Sequence, residues 1–166
     1  MSDAREQLAL FGILALALGL RAWGLAFGLP AVYNPDEVAI MSRALAFATG
    51  DLDPHNFLYP TFYFYGLFAW VGASFVPAWL TGVAASPAEF QQQFFADPTW
   101  VYLAGRWLGV VCGTASVAAT WVLARRLCGP VAALAAAIFL AVAPIAVRDA
   151  PYVKHDVPVT LASVLA

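Results

Sequence analysis

Long apolar runs separated by short polar stretches dominate this 166-residue chain. Three runs, at residues 8–29, 102–123 and 131–147, are almost uninterrupted, and a fourth begins at Val157. About 20 apolar residues cross the hydrocarbon core of a bilayer as a helix. The pattern therefore predicts an all-α, polytopic membrane protein. The first run is expected to be an uncleaved anchor, because its polar lead is not net positive and the run is longer than a signal-peptide core.

A polar stretch, VYNPDEVAI at residues 32–40, follows the first run. Residues 34–37 read Asn-Pro-Asp-Glu, which combines a favoured N-cap, a favoured first helical residue and two acidic residues at the positive end of the helix dipole. The stretch predicts a helix over residues 35–49 that stops at Gly50 and lies in the membrane interface. The predicted apolar face consists of Val38, Met41, Leu45 and Ala48.

Residues 57–83 are long and apolar enough to span a membrane, but they are crowded with aromatic side chains and contain two prolines. The positive-inside rule places the Arg-Arg pair at 125–126 on the cytoplasmic side. If the N-terminus is cytoplasmic, the order of the spans places residues 30–101 outside. Residues 57–83 would then lie in the outer interface or enter the membrane and return to the same side. The alternative is a complete crossing, which would put residues 32–40 and 148–156 on opposite sides.

Composition agrees with a membrane protein, since 63% of the residues are hydrophobic and only 11% are charged, against about 25% charged in soluble domains. The formal charge of −2 offers no basic patch for nucleic acid. Cys112 and Cys128 have neither disulfide nor metal-ligand spacing. The expected location is the plasma or inner membrane, with several passes. Because the last apolar run has no polar residues after it, we expect an N-terminal fragment of a longer protein.

The polar side chains of the expected outer loops form a candidate site. If the substrate were a lipid-linked phosphate, cations would stabilise the leaving phosphate and a carboxylate would take the proton of an attacking hydroxyl. Each candidate also has an ordinary interpretation, as a helix cap, a turn residue or a solvated loop. Arg21 and Arg106 are either interfacial anchors or functional residues. The candidate catalytic residues are Asp36, Glu37 and Asp156, and the candidate substrate-binding residues are Arg43, His55, Tyr59, Arg148, Lys154 and His155.

Several motifs in order carry a family resemblance. An arginine late in the first run precedes a Pro-Asp-Glu helix start, and ALAFATGDLDPHNFLYP follows at residues 44–60. An aromatic segment, an arginine-led run beginning GRWLGVV at residue 105 and a further run ending near an aspartate complete the order. The chain thus resembles the membrane glycosyltransferases of family 39 and its relatives, which include protein O-mannosyltransferases and the lipid A aminoarabinose transferase.

The resemblance implies the N-terminal part of a C-type glycosyltransferase transmembrane module, with interfacial helices in its first external loop. It implies inverting transfer of a sugar from a polyprenyl phosphate to a hydroxyl acceptor on a protein, lipid or glycan at the outer face of the bilayer. In such enzymes the residue matching Asp36 is the base, and the residue matching Asp156 lines the same site. Glu37 would support Asp36 by hydrogen bonding or by binding a divalent metal ion. The metal-binding Glu of the lipid A enzymes is here Leu58.

Two other function classes stay open at this point. One is a transporter or flippase-like protein, in which membrane carboxylates relay protons or bind substrate. Transporters place such residues within spans near the midplane, whereas here they cluster in the predicted loops. The other is a non-catalytic, truncated membrane subunit.

Overall fold

The computed structural model describes residues 3–82 and 85–166 of the chain, and all regular elements in this part are helices. The prediction of an all-α chain is confirmed for these residues. Residues 83 and 84, which fall in the predicted external loop, lie outside the described part. The elements are α1 (Asp3–Ala22), α2 (Pro35–Ala46), a 3₁₀ turn (Phe47–Thr49), α3 (Thr61–Leu80), α4 (Pro87–Ala96), α5 (Thr99–Cys128), α6 (Pro130–Val142), α7 (Pro144–Asp149) and α8 (Asp156–Leu165).

The chain divides into two compact units, and α5 contributes to both. Unit 1 contains the residues up to Leu25 together with 109–166, and unit 2 contains 26–108. Among the described helices, α3 and α5 are long and apolar enough to cross a membrane, judged by length and composition alone. Helices α6 and α8 are apolar but shorter, with 13 and 10 residues. The multi-pass arrangement therefore stays a prediction.

In unit 1, α1 packs against α6 through small side chains. Ala17, Val117, Ala137 and Ala141 form a fully buried cluster, which lets the backbones of the helices approach closely. The predicted run at 131–147 is not one helix, because it breaks at Ala143. Proline has no N–H to donate and disfavours helical geometry in the residue before it, so Pro144 ends α6 and begins α7.

This break explains the position of Arg21, whose side chain is 1% exposed. The carbonyl of Leu140 would ordinarily accept from the backbone N–H four residues later, but that residue is Pro144. Arg21 Nη2 donates to Leu140 O at 3.0 Å, and Arg21 Nη1 donates to Ala141 O at 2.9 Å. Arg21 therefore caps the C-terminal end of α6, where a cation also suits the helix dipole. It does not reach outward to the interface as an exposed anchor would.

In unit 2, α2 begins at Pro35 as its sequence predicts, and the helix predicted over residues 35–49 consists of α2 and the 3₁₀ turn. The Asn34 side chain accepts a hydrogen bond of 3.1 Å from the backbone N–H of Asp36. Gly50 ends the following 3₁₀ turn in the left-handed conformation, with φ of 92°. The face that is buried differs from the predicted apolar face, with which it shares only Met41. The buried residues of α2 and the turn are Glu37, Ile40, Met41, Ala44 and Phe47.

Within the aromatic segment at 57–83, residues Thr61–Leu80 form one continuous helix, α3. Pro60 precedes its first residue, and Pro77 lies within its last turn, so neither proline divides it. Helix α2 packs against α3, with the ring of Phe47 stacked on that of Tyr65 at a centroid distance of 4.9 Å. The prediction that this segment does not cross the membrane stays a prediction.

Candidate functional site

The start of α2 presents the two adjacent carboxylates of unit 2 in different directions. The Asn34 cap and Pro35 set the first turn, which places Asp36 and Glu37 about 100° apart around the helix axis. Asp36 is exposed, whereas Glu37 is fully buried at 0% exposure. Adjacent residues on one helix turn are thus separated into an accessible carboxylate and an internal one.

Glu37 is paired with Arg106, which is 2% exposed and belongs to the first part of α5. Arg106 Nε and Nη2 each donate to a different oxygen of the Glu37 carboxylate at 2.9 Å. The third contact runs from Arg106 Nη1 to the backbone carbonyl of Phe27 at 2.8 Å. Two parallel hydrogen bonds in a buried setting hold geometry well. The pair therefore ties the start of α2 to α5 and to the chain segment just before α2.

Sequence reasoning treated Glu37 and Arg106 separately and missed this contact. The available signal was that both are ionisable residues in or beside apolar helices, where such residues usually pair. Nothing in their spacing identified the partner, because they lie 69 residues apart.

Arg43 and His55, two of the other predicted binding residues of unit 2, have local hydrogen-bond partners. Arg43 Nη1 donates to Ala39 O in its own helix at 2.8 Å. His55 lies on the exposed loop after α2, where its Nε2 is 2.9 Å from Asp51 Oδ2. This hydrogen bond and the nearby carboxylate of Asp53 raise the pKa of His55 above its ordinary value. Tyr59 is half-buried just before α3.

The remaining predicted residues lie in unit 1, on the segment from Arg148 to the start of α8. Arg148 is exposed and donates to the Asp149 carboxylate from Nε at 2.8 Å, which raises its pKa. Lys154 and His155 are half-buried, and Asp156 is the first residue of α8. His155 Nε2 lies 3.7 Å from Asp156 Oδ1. The structure thus places three of the predicted residues next to one another at a helix start.

Gly109 on α5 allows this segment to pack closely. A Cβ atom at Gly109 would collide with the backbone carbonyl oxygen of Ala150 and would lie 3.3 Å from that of Tyr152. Any larger residue would push away the backbone that leads directly into Lys154 and His155. A helix glycine in unit 1 therefore helps to position the predicted phosphate-binding residues.

The donor groups do not fit a divalent metal ion at Glu37. Both of its carboxylate oxygens already accept from the Arg106 guanidinium, which would also repel a cation. Among residues 3–82 and 85–166, no cluster of three or more His, Cys, Asp and Glu side chains is arranged to hold a metal. Glu37 therefore fits a positioning role better than a metal-binding one.

Comparison with known proteins supports the family resemblance for the C-terminal part of the chain. Residues 93–166 match the family model of dolichyl-phosphate-mannose-protein mannosyltransferase. The match covers a little under half of the chain, and it includes Arg106, all of α5 and the segment from Arg148 to Asp156. No curated protein and no solved structure matched the chain.

Arg106 links the residues matched by the family model to the start of α2. Asp36 and Glu37 lie outside the matched residues, but Glu37 is bonded to Arg106, which lies inside them. The match supports a glycosyltransferase family associated with membranes and with a dolichyl-phosphate sugar donor. The aminoarabinose relatives named from the sequence stay a resemblance.

Proposed function

We propose that this chain is part of a membrane glycosyltransferase that transfers a sugar from a polyprenyl phosphate to a hydroxyl acceptor at the outer face of a bilayer, with inversion. The observation that carries the proposal is the Glu37–Arg106 ion pair. It connects the mannosyltransferase-like segment to the helix start that presents Asp36. An exposed carboxylate on a fixed helix start has the placement that a general base needs.

The proposed reaction needs a single base, which accepts the proton of the acceptor hydroxyl. The acceptor oxygen forms a bond to the anomeric carbon while the bond from that carbon to the phosphate oxygen breaks. The acceptor proton passes to Asp36, and the electron pair of the broken bond leaves on the polyprenyl phosphate. Attack from the face opposite the phosphate inverts the anomeric centre.

Glu37 and Arg106 are proposed to act as positioning residues, because their side chains are buried against each other. Cationic side chains would stabilise the phosphate as its negative charge grows. Arg148, Lys154 and His155 are the proposed phosphate ligands in unit 1, and Arg43, His55 and Tyr59 are the proposed substrate contacts in unit 2. Asp156 is proposed to orient His155, to which it is adjacent.

The test is sugar transfer by the full-length protein in membranes, with polyprenyl-phosphate mannose as the donor probe. Asp36→Asn should lower kcat by about 10²- to 10⁴-fold, the usual contribution of a general base. Asp97→Asn is the matched control, since Asp97 is an exposed carboxylate in the same unit that caps α5 at the Thr99 N–H. Transfer by Asp36→Asn at the rate of the control would exclude Asp36 as the base.

A further inference from the structure

Unit 2 contains a cleft of about 400 Å³ between α3 and the first part of α5. Three tryptophans on these two helices line it, each between 38% and 49% exposed. The remaining lining is small or aliphatic. The lining residues are Trp70, Ala73, Ser74, Trp100, Leu103, Ala104 and Trp107.

Two polar side-chain groups that line the cleft are already satisfied within the protein. Trp70 Nε1 donates to the backbone carbonyl of Ala104 at 2.8 Å, and Ser74 Oγ donates to that of Val71 at 2.6 Å. No Asp, Glu, Lys, Arg or His lines the cleft. A ligand that fits this surface would therefore be mainly hydrocarbon, and binding would come from burying apolar area.

The position of the cleft indicates which hydrocarbon. Its walls belong to the two helices that are long and apolar enough to span a membrane. Trp107 directly follows Arg106, whose guanidinium donates to the Glu37 carboxylate at the start of α2. One turn of α5 thus contains both Trp107, which lines the cleft, and Arg106, which holds the start of the helix that presents Asp36. A donor whose sugar reacts beside Asp36 would therefore be bound by the unit that also contains this apolar surface.

We propose that the tryptophan cleft binds the isoprenoid chain of the polyprenyl-phosphate sugar donor beyond its first two isoprene units. This inference rests on the proposed function and adds a binding site for the chain of its donor. The flat indole rings and the small residues between them form the contact surface for the methyl-branched chain. The cleft would make the enzyme sensitive to the length of the donor chain.

Donor-chain length gives the test. The full-length protein in membranes would be assayed with two probes, a long polyprenyl-phosphate mannose and a two-isoprene analogue of it. Trp107→Ala should raise KM for the long donor by about tenfold, because truncating a Trp that a ligand covers on binding commonly costs that much or more. It should leave kcat and the KM of the short donor nearly unchanged. Ala73→Phe, which fills the cleft without removing a tryptophan, should have the same effect.

Trp79→Ala is the matched control, because Trp79 lies on α3, is 56% exposed and does not line the cleft. A photoreactive polyprenyl phosphate should crosslink to Trp70 or Trp107, and long polyprenyl phosphate should compete where bilayer phospholipid does not. Equal KM values for Trp107→Ala, Ala73→Phe and the Trp79→Ala control would overturn the proposal. Competition by phospholipid alone would assign the cleft to a bilayer lipid instead. Absence of transfer with both donors in the unmodified protein would refute the proposed function itself.

Discussion

Arg106 and Glu37, which lie 69 residues apart in the sequence, form a buried bidentate ion pair with both hydrogen bonds at 2.9 Å. The pair holds the start of α2, and so fixes the direction in which Asp36 points. Burying two charges is favourable only when the geometry is good and the remaining donors are satisfied. Here the third guanidinium contact, to the Phe27 carbonyl, supplies one of these additional hydrogen bonds.

Removing one member of this pair should destabilise the protein more than removing both. Glu37→Leu or Arg106→Leu alone should cost about 3–5 kcal/mol, because each leaves an uncompensated buried charge. The double variant should recover much of that loss. The free energy of unfolding in mixed detergent micelles measures the effect. Asp36→Asn is the control, because the charge of an exposed residue at a helix start is worth about 1 kcal/mol or less. Equal losses in the single and double variants would contradict the pairing.

Arg21 and Pro144 should be coupled, since the proline creates the free carbonyl that the arginine caps. Arg21→Met should destabilise the protein by about 1–3 kcal/mol for each carbonyl left without a donor. Pro144→Ala restores an N–H that can reach Leu140 O, so it should reduce the cost of Arg21→Met. A double-mutant cycle on the unfolding free energy measures this coupling. Additive effects would show that the two residues act independently.

Gly113→Ala should resemble Arg21→Met in part, because the added Cβ would lie 2.9 Å from Arg21 Nε.

The loop containing His55 should respond to pH in a defined direction. The hydrogen bond to Asp51 raises the pKa of His55 from 6.5 and lowers that of Asp51 from 3.8. The hydrogen bond between His55 and Asp51 should therefore contribute its full stabilisation between pH 3.8 and pH 6.5. It should be lost as pH rises through the raised pKa of His55, or falls through the lowered pKa of Asp51. An NMR titration of the histidine ring should show the pKa of His55 falling toward 6.5 in Asp51→Asn. An unchanged titration would contradict the contact.

Labelling with a membrane-impermeant thiol reagent should test the predicted topology in intact cells. Single cysteines replacing the exposed Ala31, the exposed Ala88 and Asp149 should all react from outside if residues 57–83 do not cross the membrane. The natural Cys128 is exposed and follows the Arg-Arg pair, so it serves as the internal control and should react only after permeabilisation. Reaction at Ala31 but not at Ala88 would show that α3 crosses.

The sequence by itself determined the features that depend on neighbouring residues. The start of α2 follows from an N-cap side chain and a proline with a preset φ, and the end of the 3₁₀ turn after it follows from a glycine that tolerates positive φ. The division between α6 and α7 was also a local consequence of Pro144, but hydropathy alone made residues 131–147 read as one run.

Tertiary structure decided the features that depend on residues far apart in the chain. The buried face of α2 includes Glu37 because Arg106, 69 residues later, supplies its partner. Arg21 serves as a helix cap because the end of α6 lies beside it, 119 residues later at Leu140. Hydropathy patterns record which residues avoid water but not which charges meet. An ion pair is specified by the distance and direction between two side chains, and only the folded chain sets these.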